Sequence, residues 1–336
     1  MIRIHNITPL DNSSSYKKIE DLELDYLKCF RKFIQPENLL DNFITTKKSR
    51  NYIAKTADLP LLRYLKNHFS DVILSKPHDL FKIINKFNSK GWQVRVHNGK
   101  KTTLLGNELL YIFGYKERFR DASKRGIWLA QQLNIKTCPY CNAQATIVVT
   151  AKTQKLIAKL QFDHFFAKSE FPYLSISLYN LIPSCGSCNI TKGSKPLNLL
   201  NHYHPYSMDL SLYFKFYLKY NPDPKLLTLG QIKNQNLQII LRPKFSDPNN
   251  LIKNHDGLYH LEGIYNRYQD IAEELLIKAI IYSQNLISGH LKIEGLFPDK
   301  QVYLRYLLGT YSQENQMLDR PLSKFIQDLA KQLKLY

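Results

Sequence analysis

The sequence of 336 residues predicts a mostly helical α+β protein with a short β-rich segment near its centre. Apolar residues recur at helical spacing over much of both ends of the chain. The centre instead has β-branched and apolar runs, at 145–151 and 156–162. Two Cys-x-x-Cys pairs lie on either side of this centre, and such double pairs are typical of a shared metal ion.

The elements before the first cysteine pair are predicted mainly from apolar periodicity. Asn98-Gly99 favours a hairpin within 92–105, because this dipeptide suits a two-residue turn. Ser75-Lys76-Pro77 interrupts the helical pattern on either side of it. Four helices are predicted here, at 16–34, 59–70, 78–88 and 121–133.

The elements after the central strands are predicted in the same way. Leu181-Ile182-Pro183 is expected to form a short strand, and Asn189 to Ser194 the start of a short helix. Two strands are predicted further on, at 212–220 and 236–242. Two helices are predicted at 262–284 and 321–334, with Pro321 in the first turn of the second.

The charge of the chain predicts an anionic partner. The formal net charge is +19 and the pI is about 9.5, which favours nucleic acid as the partner. We expect three regions: a basic, mainly helical region at 1–135, a central core at 136–200, and a mixed, mainly helical region at 201–336. No apolar run approaches the ~20 residues that cross a bilayer. With no export signal evident, we expect a cytoplasmic protein without membrane contact.

Four of the five cysteines form the two pairs, Cys138-Pro139-Tyr140-Cys141 and Cys185-Gly186-Ser187-Cys188. Each pair forms a tight turn whose sulfurs converge, so the four thiolates predict a tetrahedral structural zinc site. A closed site of this kind has no open position for substrate. A redox pair or two unrelated pairs are the alternatives.

Asp163, His164 and Asn189 lie within the segment that the cysteines enclose. Asp163 and Asn189 offer oxygen ligands that suit Mg²⁺, and His164 could take a proton from water. One geometric objection exists, because adjacent residues on a regular strand point to opposite faces. The two residues share a site only if the strand ends there.

The segments Phe162-Asp163-His164-Phe165 and Asn180-Leu181-Ile182-Pro183-Ser184-Cys185, continued to Gly193, resemble HNH endonucleases with a ββα-metal core. They are most similar to cysteine-bearing bacterial HNH proteins, some of which are nuclease components of Septu-type and retron-linked antiphage systems. The spacing of Asn180, Asn189 and Lys192 also agrees with the HNH domain of the CRISPR effector nuclease. The resemblance covers about residues 136–195.

This resemblance implies His164 as general base, with Asp163 and Asn189 on a catalytic Mg²⁺ or Mn²⁺. Asn180 would hold the loop by bonding to backbone groups, as asparagine commonly does. The family also implies a role in antiphage defence and an ATPase partner. Two positions depart from the pattern, since Asn189 replaces a histidine and Ala167 replaces a proline.

Basic residues near this segment are candidate contacts for substrate phosphates. A cluster just before the first cysteine pair has interleaved aromatic residues, which favours a grip on nucleic-acid backbone. The alternative is a solvated helix face with local ion pairs. The candidates are Lys192, Lys168, Lys195, Arg118, Arg120 and Arg125, with Lys116 and Lys124 in the same cluster.

The predicted reaction is therefore metal-dependent hydrolysis of phosphodiester bonds, with double-stranded DNA as the expected substrate. RNA remains open as a substrate. A catalytically silent zinc-dependent nucleic-acid binder and a scaffold subunit are the competing functions. His202 and His204 have ligand-like spacing, although histidines near such a turn are more often structural.

Overall fold

The structure, a computed structural model, describes residues 2–4, 6–7, 17–92, 94–98, 101–121, 125–220, 236–247, 249–282, 284–292 and 296–336. It is mostly helical with small antiparallel sheets, which confirms the α+β class. Of the predicted features, Gly99 and Lys124 lie outside the described residues. Within those residues, no helix is both long and apolar enough to cross a bilayer.

Contacts group the chain into two compact units. The first, here called the N-terminal unit, contains Ile4–Ile135 and Thr146–Met208. The second, the C-terminal unit, contains Met1–Arg3, Lys136–Ala145 and Asp209–Tyr336. These boundaries differ from those of the three predicted regions.

Within the described residues, the N-terminal unit has eight α-helices. Three of them have proline in the first turn, where its missing N–H is harmless. The predicted helix at 59–70 is divided at His68, whose backbone leaves the helical region. The helices are α1 Glu23–Phe33, α2 Pro36–Thr46, α3 Leu59–Asn67, α4 Phe69–Leu74, α5 Pro77–Ser89, α6 Leu104–Phe113, α7 Arg125–Leu133 and α8 Gly186–Lys192.

The described strands of this unit form five two-stranded antiparallel sheets. Each consists of neighbours in chain order, and the β5–β6 pair forms at the predicted Asn98 turn. The strands are β1 Asn6–Ile7, β2 Lys17–Lys18, β3 Lys48–Ser49, β4 Tyr52–Ile53, β5 His97–Asn98, β6 Lys101–Thr102, β7 Ile147–Thr150, β8 Leu156–Lys159, β9 Gln161–His164 and β10 Leu181–Ser184.

Strands β9 and β10 and helix α8 form a continuous hairpin–helix unit. The register places Leu181 opposite His164 and Ile182 opposite Asp163. All residues of β10 are buried. Helix α8 begins directly after Cys185 and ends at Lys192, and the next residue, Gly193, has a φ of +52° that favours glycine.

The loop between β9 and β10 packs into the helical core of the N-terminal unit. The hydroxyl of Tyr26 donates to the Ile176 carbonyl at 2.7 Å, and that of Ser177 to the Val72 carbonyl at 2.6 Å. The rings of Phe87 and Tyr173 stack with centroids 3.9 Å apart. Helices α1, α4 and α5 thus hold the loop that follows the candidate site.

In the part of the C-terminal unit that the structure describes, one hairpin is combined with six α-helices. Its strands are β11 Phe214–Tyr220 and β12 Leu237–Pro243, paired along their whole length. The predicted helix at 262–284 is interrupted between Tyr265 and Gln269, and the last helix begins after Pro321 rather than before it. The helices are α9 Leu251–Tyr259, α10 Leu261–Tyr265, α11 Gln269–Ile281, α12 Gln284–Lys292, α13 Lys300–Leu308 and α14 Ser323–Gln332.

Helix side chains bond both outer edges of the β11–β12 hairpin. On β11, Asp328 accepts from the Phe216 amide, and Gln332 bonds the N–H and C=O of Leu218. On β12, Asn266 does the same with Ile239. Because unpaired strand edges invite association with other chains, these amide and carboxylate groups replace missing neighbour strands.

A buried ion pair on α14 supports this arrangement. The Lys324 ammonium lies 2.7 Å from the Asp328 carboxylate and also donates to the Phe214 carbonyl. Burial lowers the pKa of Lys324 and raises that of Asp328, while their mutual attraction opposes both shifts. Because both groups are buried, removal of either one would leave the other without a counter-charge and destabilise the fold.

We expect Asp328→Asn to lower the free energy of unfolding by about 3–5 kcal/mol, because it leaves a buried ammonium without a counter-charge. Glu314→Gln is the matched control. Glu314 pairs with Lys331, which lies on α14 like Asp328 but is exposed. We expect that control to cost at most ~1 kcal/mol. Chemical denaturation measures both, and equal losses would contradict the prediction.

Candidate functional site

The four cysteines of the two predicted pairs form one buried cluster. The Sγ atoms of Cys138, Cys141, Cys185 and Cys188 all lie within 4.8 Å of one another. Backbone amides donate to two of these sulfurs, from Ala143 to Cys141 and from Cys188 to Cys185. Such bonds favour thiolates, and the cluster could therefore hold a metal ion such as zinc.

A pocket of about 690 Å³ opens in the N-terminal unit beside the hairpin–helix unit. Asp163, His164 and Asn189 line it together, as do Lys168 and Arg120. Both Asp163 and His164 are buried. Strand β9 ends at His164, as the sequence argument required, and both residues line the pocket even though the Phe165 amide still bonds the Asn180 carbonyl.

The His164 imidazole has a defined tautomer. Its Nε2 lies 2.9 Å from the Ser175 carbonyl, which can only accept, so Nε2 carries the proton and Nδ1 a lone pair. The Tyr115 ring packs edge-on against the imidazole at 4.4 Å. The pKa of His164 is lowered to about 3, mainly by burial and also by the charges of Lys168 and Lys192, while the bond to Ser175 opposes the shift.

Asp163 and Lys192 form a buried ion pair at 3.1 Å. The same ammonium donates to the carbonyls of His164 and Gly193. Lys192 therefore fastens the end of α8 to the end of β9. Its predicted contact with a substrate phosphate stays a prediction, and its side chain is almost fully buried.

Asn189 presents its amide oxygen as a possible cation ligand. Its amide nitrogen donates to the side-chain oxygen of Gln161, which lies two residues before Asp163 on β9. The oxygen is thereby left for another partner. Asp163 and Asn189 line the same pocket, and the predicted Mg²⁺ or Mn²⁺ on them stays a prediction.

The Asn180 side chain is buried and bonds to backbone groups of the loop that follows His164. Its Oδ1 accepts from the Phe166 amide at 2.8 Å, and its Nδ2 donates to the carbonyls of Phe166 and Leu174 at 3.0 Å each. These bonds close the loop after His164.

The basic candidates fall into two groups. Lys168 and Arg120 line the pocket, and burial together with Arg120 lowers the pKa of Lys168. The other four candidates do not line the pocket; they are Lys192, Lys195, Arg118 and Arg125. Arg118 donates to the carbonyls of Tyr111 and Ile112, and Arg125 donates to the Arg118 carbonyl and lies over the Phe33 ring. The substrate roles of these four stay predictions.

Two residues of the site were missed by sequence reasoning. Gln161 shares a strand face with Asp163, so alternation along β9 could have indicated it. Ser175 acts through its backbone, which no sequence signal marks. Tyr115 is one of the aromatic residues interleaved in the predicted basic cluster, and it packs on His164 from a π-helical turn at Tyr115–Asp121.

His202 and His204 do not belong to the cysteine cluster. His204 is fully buried, accepts from the Tyr206 amide through Nδ1, and packs against Phe165 at 4.3 Å. Burial lowers its pKa to about 3. Its contacts are those of a structural core histidine.

Comparison of the chain with known protein families, with curated proteins and with solved structures finds no match.

We expect purified protein to contain one zinc ion per chain by elemental analysis. Cys188→Ser should lose the metal and several kcal/mol of unfolding free energy, because binding energy of a structural zinc is folding energy. Cys29→Ser is the control, because the fifth cysteine lies on α1 outside the cluster. Full zinc content in Cys188→Ser would exclude a shared site.

His204 should make unfolding pH-dependent. Its folded pKa of about 3 lies below the usual ~6.5, so the stabilisation is complete above pH ~6.5 and declines as the pH falls toward 3. At pH 5 the loss is about 2 kcal/mol per such histidine. His204→Asn keeps an acceptor for Tyr206 and should reduce the pH 7-to-5 difference by this amount, whereas the exposed His78→Asn should not.

Proposed function

We propose that this chain is a metal-dependent HNH endonuclease that hydrolyses phosphodiester bonds, with DNA as its substrate. The observation that carries the proposal is the convergence of Asp163, His164 and Asn189 on one pocket beside an antiparallel hairpin and a following helix. The four-cysteine cluster adds support, with zinc as a structural ion that holds the two cysteine turns together.

The positive charge of the pocket suits a phosphate. Lys168 and Arg120 line the pocket, and the buried ammonium of Lys192 is paired with Asp163, another lining residue. Besides burial, which is the main cause in both cases, Lys168 and Lys192 lower the pKa of His164, and Arg120 and Lys192 lower that of Lys168. A bound phosphodiester would offset their charge and thereby raise the basicity of the imidazole.

The residues divide the chemical work. A divalent ion on Asp163 and Asn189 would polarise the phosphoryl group and stabilise the leaving oxygen. His164, held by Ser175 with its Nδ1 lone pair available, takes the proton from the attacking water. Asn180 keeps the loop closed, and Lys168 neutralises a non-bridging oxygen.

A second candidate function is favoured by the Asp163–Lys192 pair. An ammonium already neutralises the carboxylate, which is the arrangement expected of a catalytically silent nucleic-acid binder. Such a protein would bind DNA without divalent ions and would not nick it. A role in antiphage defence and an ATPase partner rest on the family resemblance alone.

The test incubates the protein with supercoiled plasmid, linear DNA and RNA in Mg²⁺, Mn²⁺ or EDTA. We expect Mg²⁺- or Mn²⁺-dependent cleavage of DNA that falls about 10²- to 10⁴-fold in His164→Ala, as for loss of a general base. His78→Ala is the control, because His78 is exposed and outside the pocket.

Three outcomes contradict parts of this proposal. Unchanged cleavage by His164→Ala would remove the residue from its role. Cleavage of RNA alone would change the substrate class. Tight DNA binding without cleavage by the wild-type protein would favour the silent binder.

A further inference from the structure

A second cavity lies next to the candidate site in the N-terminal unit. Its volume is about 390 Å³, and it shares Leu110, Tyr115, Arg120 and Lys168 with the first pocket. The shared residues place the two cavities side by side, so an extended ligand can occupy both. The second cavity continues to Arg50 in the turn between β3 and β4.

The walls of the second cavity carry an excess of positive charge. Arg50, Lys116, Arg120 and Lys168 are lining residues, against Glu108 and Glu117. The Glu108 carboxylate is buried and accepts from the Ser49 hydroxyl at 2.6 Å and the Asn51 amide at 3.3 Å. Its charge is therefore committed to holding the β3–β4 turn against α6.

Arg50 is fixed in place before any ligand binds. Its guanidinium lies over the Tyr111 ring at 3.5 Å from the centroid and 3.8 Å from Glu108. The side chain is still 45% exposed. A guanidinium held by its flat face keeps donors at its edge, which is the arrangement that binds phosphate with little loss of entropy.

We propose that the second cavity binds the strand that flanks the scissile phosphate, as an unpaired nucleic-acid strand held through its phosphates. Lys168 and Arg120 hold the phosphate nearest the candidate site, and Lys116 and Arg50 hold the next. The cavity suits a ligand the size of a nucleotide and is too small for a duplex. This inference rests on the proposed nuclease function for the identity of the strand.

The test measures binding by fluorescence anisotropy without added divalent ions, over a series of salt concentrations. One labelled DNA probe is fully paired, and the other has the same duplex with an unpaired flank. The variants are Lys116→Ala and Arg50→Lys, both in the full-length chain. Lys90→Ala is the control, because Lys90 is also exposed in the same unit but lines neither cavity.

For the probe with the unpaired flank, Lys116→Ala should bind several-fold more weakly and reduce the slope of log K against log salt by about 0.7, the value for one phosphate on a single strand. Arg50→Lys keeps the charge but loses the stacked planar group, so it should weaken binding with little change in slope. Both variants should lose less affinity for the fully paired probe.

The inference is overturned if both variants behave like Lys90→Ala, or if they lose equal affinity for both probes. In that case a wild-type protein that still binds and cuts DNA leaves the proposed nuclease function standing. A wild-type protein that binds neither probe overturns the inference and the proposed function together. Unchanged thermal unfolding of Lys116→Ala confirms that its loss is one of binding.

Discussion

The carboxamide of Asn180 is the contact on which the candidate site depends. It pairs with both backbone groups of Phe166 and with the Leu174 carbonyl, as a neighbouring strand would. Ser175 follows Leu174 directly, and its carbonyl orients His164. Since a buried polar group without a partner costs about 1–3 kcal/mol, loss of this amide would free the loop and the imidazole together.

A second constraint is electrostatic. Asp163 is buried, and Lys192 supplies its counter-charge from the last turn of α8. The same lysine bonds the His164 carbonyl, so one ammonium fastens the end of the strand to the end of the helix. A buried carboxylate needs such a partner, because an unpaired buried charge is strongly destabilising.

The sequence was most informative where function needs residues at a short, fixed spacing. The cysteine pairs and the Asp163-His164 step follow from local pattern alone, whereas the predicted run at 156–162 is divided between β8 and β9, which carries both residues. Helix α6 was missed because it is apolar on nearly all sides, so no polar face gives it a period. The break between α10 and α11 was missed because Asn266 bonds Ile239 far away in sequence, while apolar spacing continues across the break.

The remaining parts of the site are non-local for the same reason. Tyr115 packs on the His164 ring and Phe119 on Phe162, so the π-helical turn forms one wall of the pocket. In the proposed function the hairpin and α8 supply the reacting groups, whereas this wall sets the shape and charge of the pocket beside them. Residues of that wall are free to differ without altering the spacing of Asp163, His164 and Asn189. Chemistry is therefore readable from the local motif, and substrate preference must be sought in the helices that pack around it.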